Sequence, residues 1–228
     1  MNTKLRIEGI VLNALAFQDY DRILTLFTPT EGIVKLFVNR AFSSKKGKGS
    51  TTAPLLLIES VCAKGRGEFY TSREIEVIDH YLGLRERLET LNAACDMLQA
   101  VLMTQMPGKA SLELYQLLSI FLKRLPQAKD PRAISCCFRI KSLLYEGLYK
   151  TPTVCSLCSQ PLESVCTVVG HETFCPRHAP ANGLVLEPEE RILLDALAFC
   201  REFSSLATLV LPIDFSAKVE KFFHESLA

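Results

Sequence analysis

Hydrophobic and polar positions change their period once along this chain, near residue 80. Before it, short runs rich in Ile and Val are separated by Gly, Pro and polar residues: LRIEGIVLN, RILTLFT, IVKLFVN, PLLLIESVCAK and EFYTSREIEV. Five such runs predict five β-strands, although their alternation is imperfect. A turn is expected at Thr28-Pro29-Thr30-Glu31-Gly32, and AFSSKKGKGSTTA between the third and fourth runs is polar enough for a mobile loop. Five short strands within about eighty residues suit a small closed barrel of the OB type, and an SH3-like barrel fits the same count.

Beyond Tyr81 the apolar spacing becomes helical. Leu84, Leu88, Leu91, Cys95, Leu98 and Leu102 step by three or four residues and predict one buried face. A second helix follows Pro107-Gly108, capped by Ser111, with Leu114, Leu117, Leu118 and Phe121 inward. Asp130-Pro131 places a capping carboxylate before a proline, opening a third helix that stops at Gly147. Glu187-Pro188 opens a fourth, with Ile192, Leu193, Ala196 and Leu197 inward, and a last helix runs from Ser216 to Leu227. The predicted architecture is a mixed, two-domain protein. An OB-type barrel over 1–80 precedes an all-α domain over 81–228, which carries an insert at about 153–180.

That insert brings in the first specific chemistry. Cys155-x2-Cys158 is followed, after sixteen intervening residues, by Cys175-x2-His178. Each pair converges two donors on one ion, and two pairs complete the closed tetrahedral shell of structural Zn²⁺. One zinc ion is expected, as a staple and not a catalyst, since a catalytic site keeps an open position. Cys166 and His171 lie in the same window as spare donors. The nine cysteines, an odd number, argue for metal binding and against a disulfide framework.

Composition narrows the rest. The net charge is +1, from 26 Lys and Arg against 25 Asp and Glu, so any basic surface must be local. Arg40, Lys45, Lys46, Lys48, Lys64 and Arg66 fall in a stretch of 27 residues with one acid, Glu59. Charges at Lys4, Arg6 and Glu8 interrupt any signal-peptide run, and no segment is apolar enough to span a membrane, so a cytoplasmic protein is expected. No phosphate-binding glycine-lysine loop, Gly-x-Ser-x-Gly or carboxylate pair is found, and a non-enzymatic role is expected.

The order of parts resembles the RecO family of bacterial recombination mediators. The resemblance is carried by Glu8-Gly9-Ile10-Val11-Leu12, by Ile23-Leu24-Thr25-Leu26-Phe27-Thr28 with Glu31-Gly32, and by Ser44-Lys45-Lys46. Pro54-Leu55, Lys64-Gly65-Arg66-Gly67-Glu68 and the Cys-x-x-Cys insert complete it. This chain departs from the family pattern in having His178 where cysteine is usual, Ser159 where glycine is common, and Gly170 alone where two glycines are expected. The resemblance implies binding of single- and double-stranded DNA, annealing of complementary strands, and loading of RecA together with RecR on DNA covered by single-strand-binding protein. It also implies nucleoid association at damaged DNA.

For an OB-type barrel, Arg40, Lys45, Lys46, Lys48, Lys64 and Arg66 are the candidate phosphate contacts, and Tyr70, Phe37 and Phe42 the candidate stacking rings. A lysine cluster in a Gly and Ser loop is also simply a solvated loop, and Phe37 within a strand also reads as core. Four to six neutralised phosphates give a log-log salt slope of roughly −3 to −4 for single strands. Lys123, Arg124, Arg132, Arg139 and Lys141 are candidate rim residues for the acidic tail of single-strand-binding protein. The alternative is a zinc-stapled barrel adaptor that binds protein partners without DNA activity. A metal-dependent nucleic-acid hydrolase is the third class.

Overall fold

The computed structural model describes residues 4–41, 51–67 and 69–227. Two compact units divide the chain, Met1–Pro126 and Gln127–Ala228. The period change near residue 80 marks where strands give way to helices, while the first unit extends past it through two helices.

The barrel is built from β1 (Lys4–Phe17), β2 (Asp21–Thr28), β3 (Gly32–Val38), β4 (Leu57–Lys64) and β5 (Phe69–Asp79). They close in the order β1-β2-β3-β5-β4, with β4 returning to β1. Every pairing is antiparallel except β3 with β5, which is parallel. This order with a parallel β3–β5 closure is the OB arrangement, and it excludes the SH3-like alternative.

Closure depends on the length of β1. Its first half pairs with β4, from Lys4 opposite Ala63 to Ile10 opposite Leu57, and its second half with β2, from Ile10 opposite Phe27 to Phe17 opposite Asp21. The register slips between Val11 and Asn13, and such a bulge bends a strand as barrel curvature requires. Val11, Leu24, Leu26, Val34, Leu36, Ile58, Cys62 and Tyr70 fill the interior.

The imperfect alternation of β2 has a physical cause. Leu24 through Thr28 are all buried because a helix covers part of the outer surface. That helix is α2 (Leu112–Arg124), which follows α1 (Leu88–Thr104). The Tyr115 ring stands edge-on to Phe27 at 5.8 Å, and its hydroxyl donates to Glu8 Oε1 at 3.0 Å. Gly32 holds the connection between the helices against β3: it bridges Pro107, and the Gly108 N–H donates to the Ile33 carbonyl at 3.4 Å.

The buried face of α1 is not the predicted leucine stripe. Leu88 and Cys95 are exposed, whereas Thr90, Ala93, Ala94, Met97, Leu98, Ala100 and Val101 are buried. Small residues let this helix approach closely, so the larger leucines at 88 and 91 fall to the side. In α2, Leu114, Leu118 and Phe121 are buried as expected, and Leu117 is half-buried. Ser111 stands at the N-cap position without a side-chain hydrogen bond.

The second unit is organised on α3 (Pro131–Tyr145), buried at twelve positions from Pro131 to Leu143 and enclosed by α4 (Pro188–Phe199), α5 (Phe203–Thr208) and α6 (Phe215–Glu225). Between α3 and α4 lies a small antiparallel sheet ordered β7-β6-β8, from β6 (Cys166–Val169), β7 (Glu172–Phe174) and β8 (Leu184–Leu186). In α4 the buried positions are Leu194, Leu197 and Ala198. The predicted Ile192 and Ala196 are exposed, because the helix lies rotated from the face its large residues suggest. The Glu187 N–H donates to Glu190 Oε2 at 2.9 Å, fixing the start of this helix. Gly147 ends α3 with φ of 73°, as its position predicted.

Asp130 does more than cap α3. It accepts from the Arg132 backbone N–H at 3.1 Å and from both arms of the Arg132 guanidinium at 2.9 Å, and from the Leu211 N–H at 3.1 Å. Burial alone raises the carboxyl pKa, but these donors, Arg132 foremost, outweigh it and leave the pKa below the ordinary aspartate value. A folded-state pKa that is lowered stabilises the fold fully above the ordinary aspartate range, near about 4, and the contribution disappears as pH falls through the lowered value. Asp130→Asn is expected to cost about 1–2 kcal/mol at pH 7 in a denaturant titration, and the deficit relative to wild type should shrink below about pH 3.

Candidate functional site

Two places in the fold gather chemistry. The first is in the second unit, where the turn Cys155–Cys158 meets the turn Cys175–His178 after β7. Sγ of the three cysteines and one ring nitrogen of His178 all lie within 4.8 Å of one another. Cys175 Sγ stands 3.3 Å and Cys155 Sγ 3.6 Å from His178 Nδ1. Three thiols and an imidazole make up the donor set of a closed tetrahedral metal site, and the group can hold one ion. Among the described residues no other group of three or more such donors is found.

The local backbone prepares the thiolates. The Cys175 backbone N–H, then those of Cys158 and Leu157, together with the His178 side chain, draw the Cys155 thiol down to about 5. At Cys158 the Gln160 N–H favours the thiolate, but burial and the neighbouring Cys155 and Cys175 sulfurs outweigh it and leave its pKa raised. Ser159, where a glycine eases the turn, adopts φ of 55°. Cys166 and His171 are not part of the group: Cys166 is fully buried in β6 opposite Leu186, and His171 is exposed in the turn before β7.

Arg191 of α4 holds the base of this insert. Its guanidinium donates to the carbonyls of Leu162 at 2.6 Å, Ser164 at 3.1 Å and Pro152 at 3.2 Å, so both legs of the insert are tied to one helix. The sequence marks Arg191 only as one more charge on an amphipathic helix.

The second place is the outer surface of the barrel over β1, β2 and β3. Val34, Leu36 and Val38 point inward, which turns Lys35 and Phe37 outward. Phe17, at the end of β1, meets Phe37 edge-on at 5.7 Å and remains 40% exposed. Phe69 pairs with Lys35 across the parallel ladder and is 48% exposed. Lys35 Nζ donates to Thr25 Oγ1 at 3.0 Å. Phe17, Phe69 and Lys35 were not among the expected residues. Phe17 and Phe69 sit at strand ends, where alternation gives no side, and Lys35 was readable only as the out-facing partner of Phe37.

Of the expected contacts, Lys45, Lys46, Lys48 and Phe42 lie outside the described residues. Arg40 is exposed after β3, with φ of 52° and its backbone N–H on Asp21 Oδ1 at 2.8 Å. Arg66 is exposed in the β4–β5 turn. Tyr70 corrects the expectation of a stacking ring: it is 2% exposed and its ring belongs to the barrel core. Its hydroxyl reaches Glu31 Oε2 at 3.2 Å, and burial foremost raises its pKa. Lys64 Nζ lies 3.4 Å from the same carboxylate oxygen and 5.5 Å from the centre of the Tyr70 ring.

In the helices, Arg139 and Lys141 cannot serve as rim residues, because both are buried. Lys141 Nζ donates to the Ala198 carbonyl at 3.0 Å, near the end of α4, and Arg132 is engaged by Asp130. Lys123 and Arg124 stand in the last turn of α2. Among the described residues no helix is long and apolar enough to cross a membrane.

Fold and site together define an OB-barrel protein with a helical region that carries a Cys3His metal-binding group. Residues 1–81 match the family described as Recombination protein O N terminal. The chain is 26% identical over 214 residues to the DNA repair protein RecO of Chlamydia pneumoniae, a match covering 93% of this chain and 84% of that protein. It is 26% identical over 228 residues to the DNA repair protein RecO of Chlamydia trachomatis serovar D, covering 99% and 93%. To the DNA repair protein RecO of Synechococcus sp. strain CC9605 it is 28% identical over 209 residues, covering 84% and 78%. These matches support the RecO family for this chain, and with it a role in DNA repair and recombination.

Proposed function

We propose that this protein is a non-enzymatic, cytoplasmic recombination mediator. In this reading it binds single- and double-stranded DNA, anneals complementary strands, and acts with RecR to load RecA on DNA covered by single-strand-binding protein. The observation that carries the reading is the outer surface of β1–β3, where Phe17, Phe37 and Phe69 surround Lys35. Aromatic rings beside a cation are what a single strand needs, since every base offers a π-face and every phosphate a charge. Arg40 and Arg66 are exposed at nearby loops, and Lys45, Lys46 and Lys48 belong to the same proposal. Annealing requires screening of strand repulsion and transient holding of two backbones, and no covalent step.

The Cys155, Cys158, Cys175 and His178 group holds one structural Zn²⁺ in this reading, which folds the insert and supplies no chemistry to DNA. The stacking surface has a direct test. Phe37→Ala is expected to weaken binding of a labelled oligothymidylate by about 1–3 kcal/mol, read by fluorescence anisotropy, with the salt slope unchanged because no phosphate contact is lost. Equal affinity of Phe37→Ala and wild type would remove this surface from the interface.

A further inference from the structure

We propose that Lys64 and the Tyr70 hydroxyl form a subsite for one phosphate of a bound single strand, and that Glu31 fills this subsite in the free protein as an internal competitor. The inference rests on the single-strand reading above and assigns a role to Glu31, a residue of the β2–β3 turn.

One carboxylate oxygen, Glu31 Oε2, collects both donors, the Tyr70 hydroxyl at 3.2 Å and Lys64 Nζ at 3.4 Å. A phosphate oxygen carries the same charge and accepts the same two donors. The ammonium is also held over the Tyr70 ring at 5.5 Å, so it is positioned whether or not the carboxylate stays. Tyr70 itself cannot move away, because its ring is fixed in the barrel core. The Lys64 and Glu31 side chains are each about half exposed, and exposed ion pairs are weak enough for a polyanion to displace.

There is room for the incoming group. A cavity of about 290 Å³ adjoins these side chains, and Gly67 and Gly108 form part of its wall. Both glycines have positive φ, and a Cβ at either would meet nothing within 4 Å, so a ligand backbone can lie against them. The tight β4–β5 turn, closed by the Gly65 N–H on the Phe69 carbonyl at 2.8 Å, keeps Lys64 beside Tyr70.

Removing the competitor should therefore expose a cation. Full-length wild type, Glu31→Gln, Lys64→Gln and the double variant are titrated with labelled oligothymidylate across a series of salt concentrations. Glutamine keeps an acceptor for the Tyr70 hydroxyl, so the fold is retained. Glu31→Gln is expected to tighten binding by up to about fivefold and to steepen the log-log salt slope by about 0.7, one further phosphate contact. Lys64→Gln is expected to abolish both gains in the double variant. Glu59→Gln, which removes the same charge from the Arg6 pair on β4, is expected to leave the slope unchanged. If wild type binds the oligonucleotide and Glu31→Gln matches it, or if the gain persists without Lys64, the subsite is overturned and the single-strand reading stands. Absence of binding in every variant overturns both.

Discussion

Replacing Cys155 by alanine is expected to release the metal from the second unit and to lower the melting temperature. Cys155 is buried, its thiol is drawn down to about 5 by backbone N–H groups, and it faces His178 Nδ1 at 3.6 Å. A structural Zn²⁺ supplies roughly 10–16 kcal/mol to the fold it closes, and a three-donor remnant loses a share on the order of several kcal/mol. The small sheet β7-β6-β8 and the Arg191 bonds to Pro152, Leu162 and Ser164 hold the insert only while its two turns stay together. Metal content by elemental analysis and melting by circular dichroism check this. Cys166→Ala, outside the donor group, should keep one equivalent of metal. A Cys155→Ala protein with full metal content and unchanged melting would contradict the assignment.

Gly32→Ala is expected to be more damaging than any surface change on the barrel, costing about 3 kcal/mol or more. Gly32 has φ of 65°, a conformation that alanine adopts at a cost, and a Cβ there would collide with the Lys109 carbonyl group, its carbon only 2.6 Å away. The neighbouring Gly67 has φ of 60° with open space around it, so Gly67→Ala should pay the backbone strain alone, about 1 kcal/mol. Comparing the two by denaturant unfolding separates strain from collision. Equal losses would mean that the chain around Lys109 yields freely and does not brace β3.

How far the sequence could be read depends on which force fixed each residue. The five strands, the Asp130 cap, the Gly147 stop and the four metal donors were legible because each rests on local chemistry or spacing. The facing of α1 and α4 was not, since it depends on what packs against them. In α1 close approach favours Ala93, Ala94 and Ala100 over Leu88, and no pattern of large residues announces that. Tyr70 was misread for a related reason: beside Arg66 in sequence it suggests a surface ring, while the strand alternation turns it inward. Phe17 and Phe69 gain meaning only once closure sets β1, β3 and β5 side by side. Glu31 was readable as a turn residue, but its two donors come from β4 and β5, 33 and 39 residues away.

The most direct measurement of the central claim mixes two labelled complementary oligonucleotides with the zinc-loaded protein, without ATP, at low and at moderate salt, and follows pairing over time. The account predicts that the protein accelerates pairing, that the acceleration falls as salt rises, and that Phe37→Ala reduces it. Pairing at the uncatalysed rate in the presence of folded protein would contradict it.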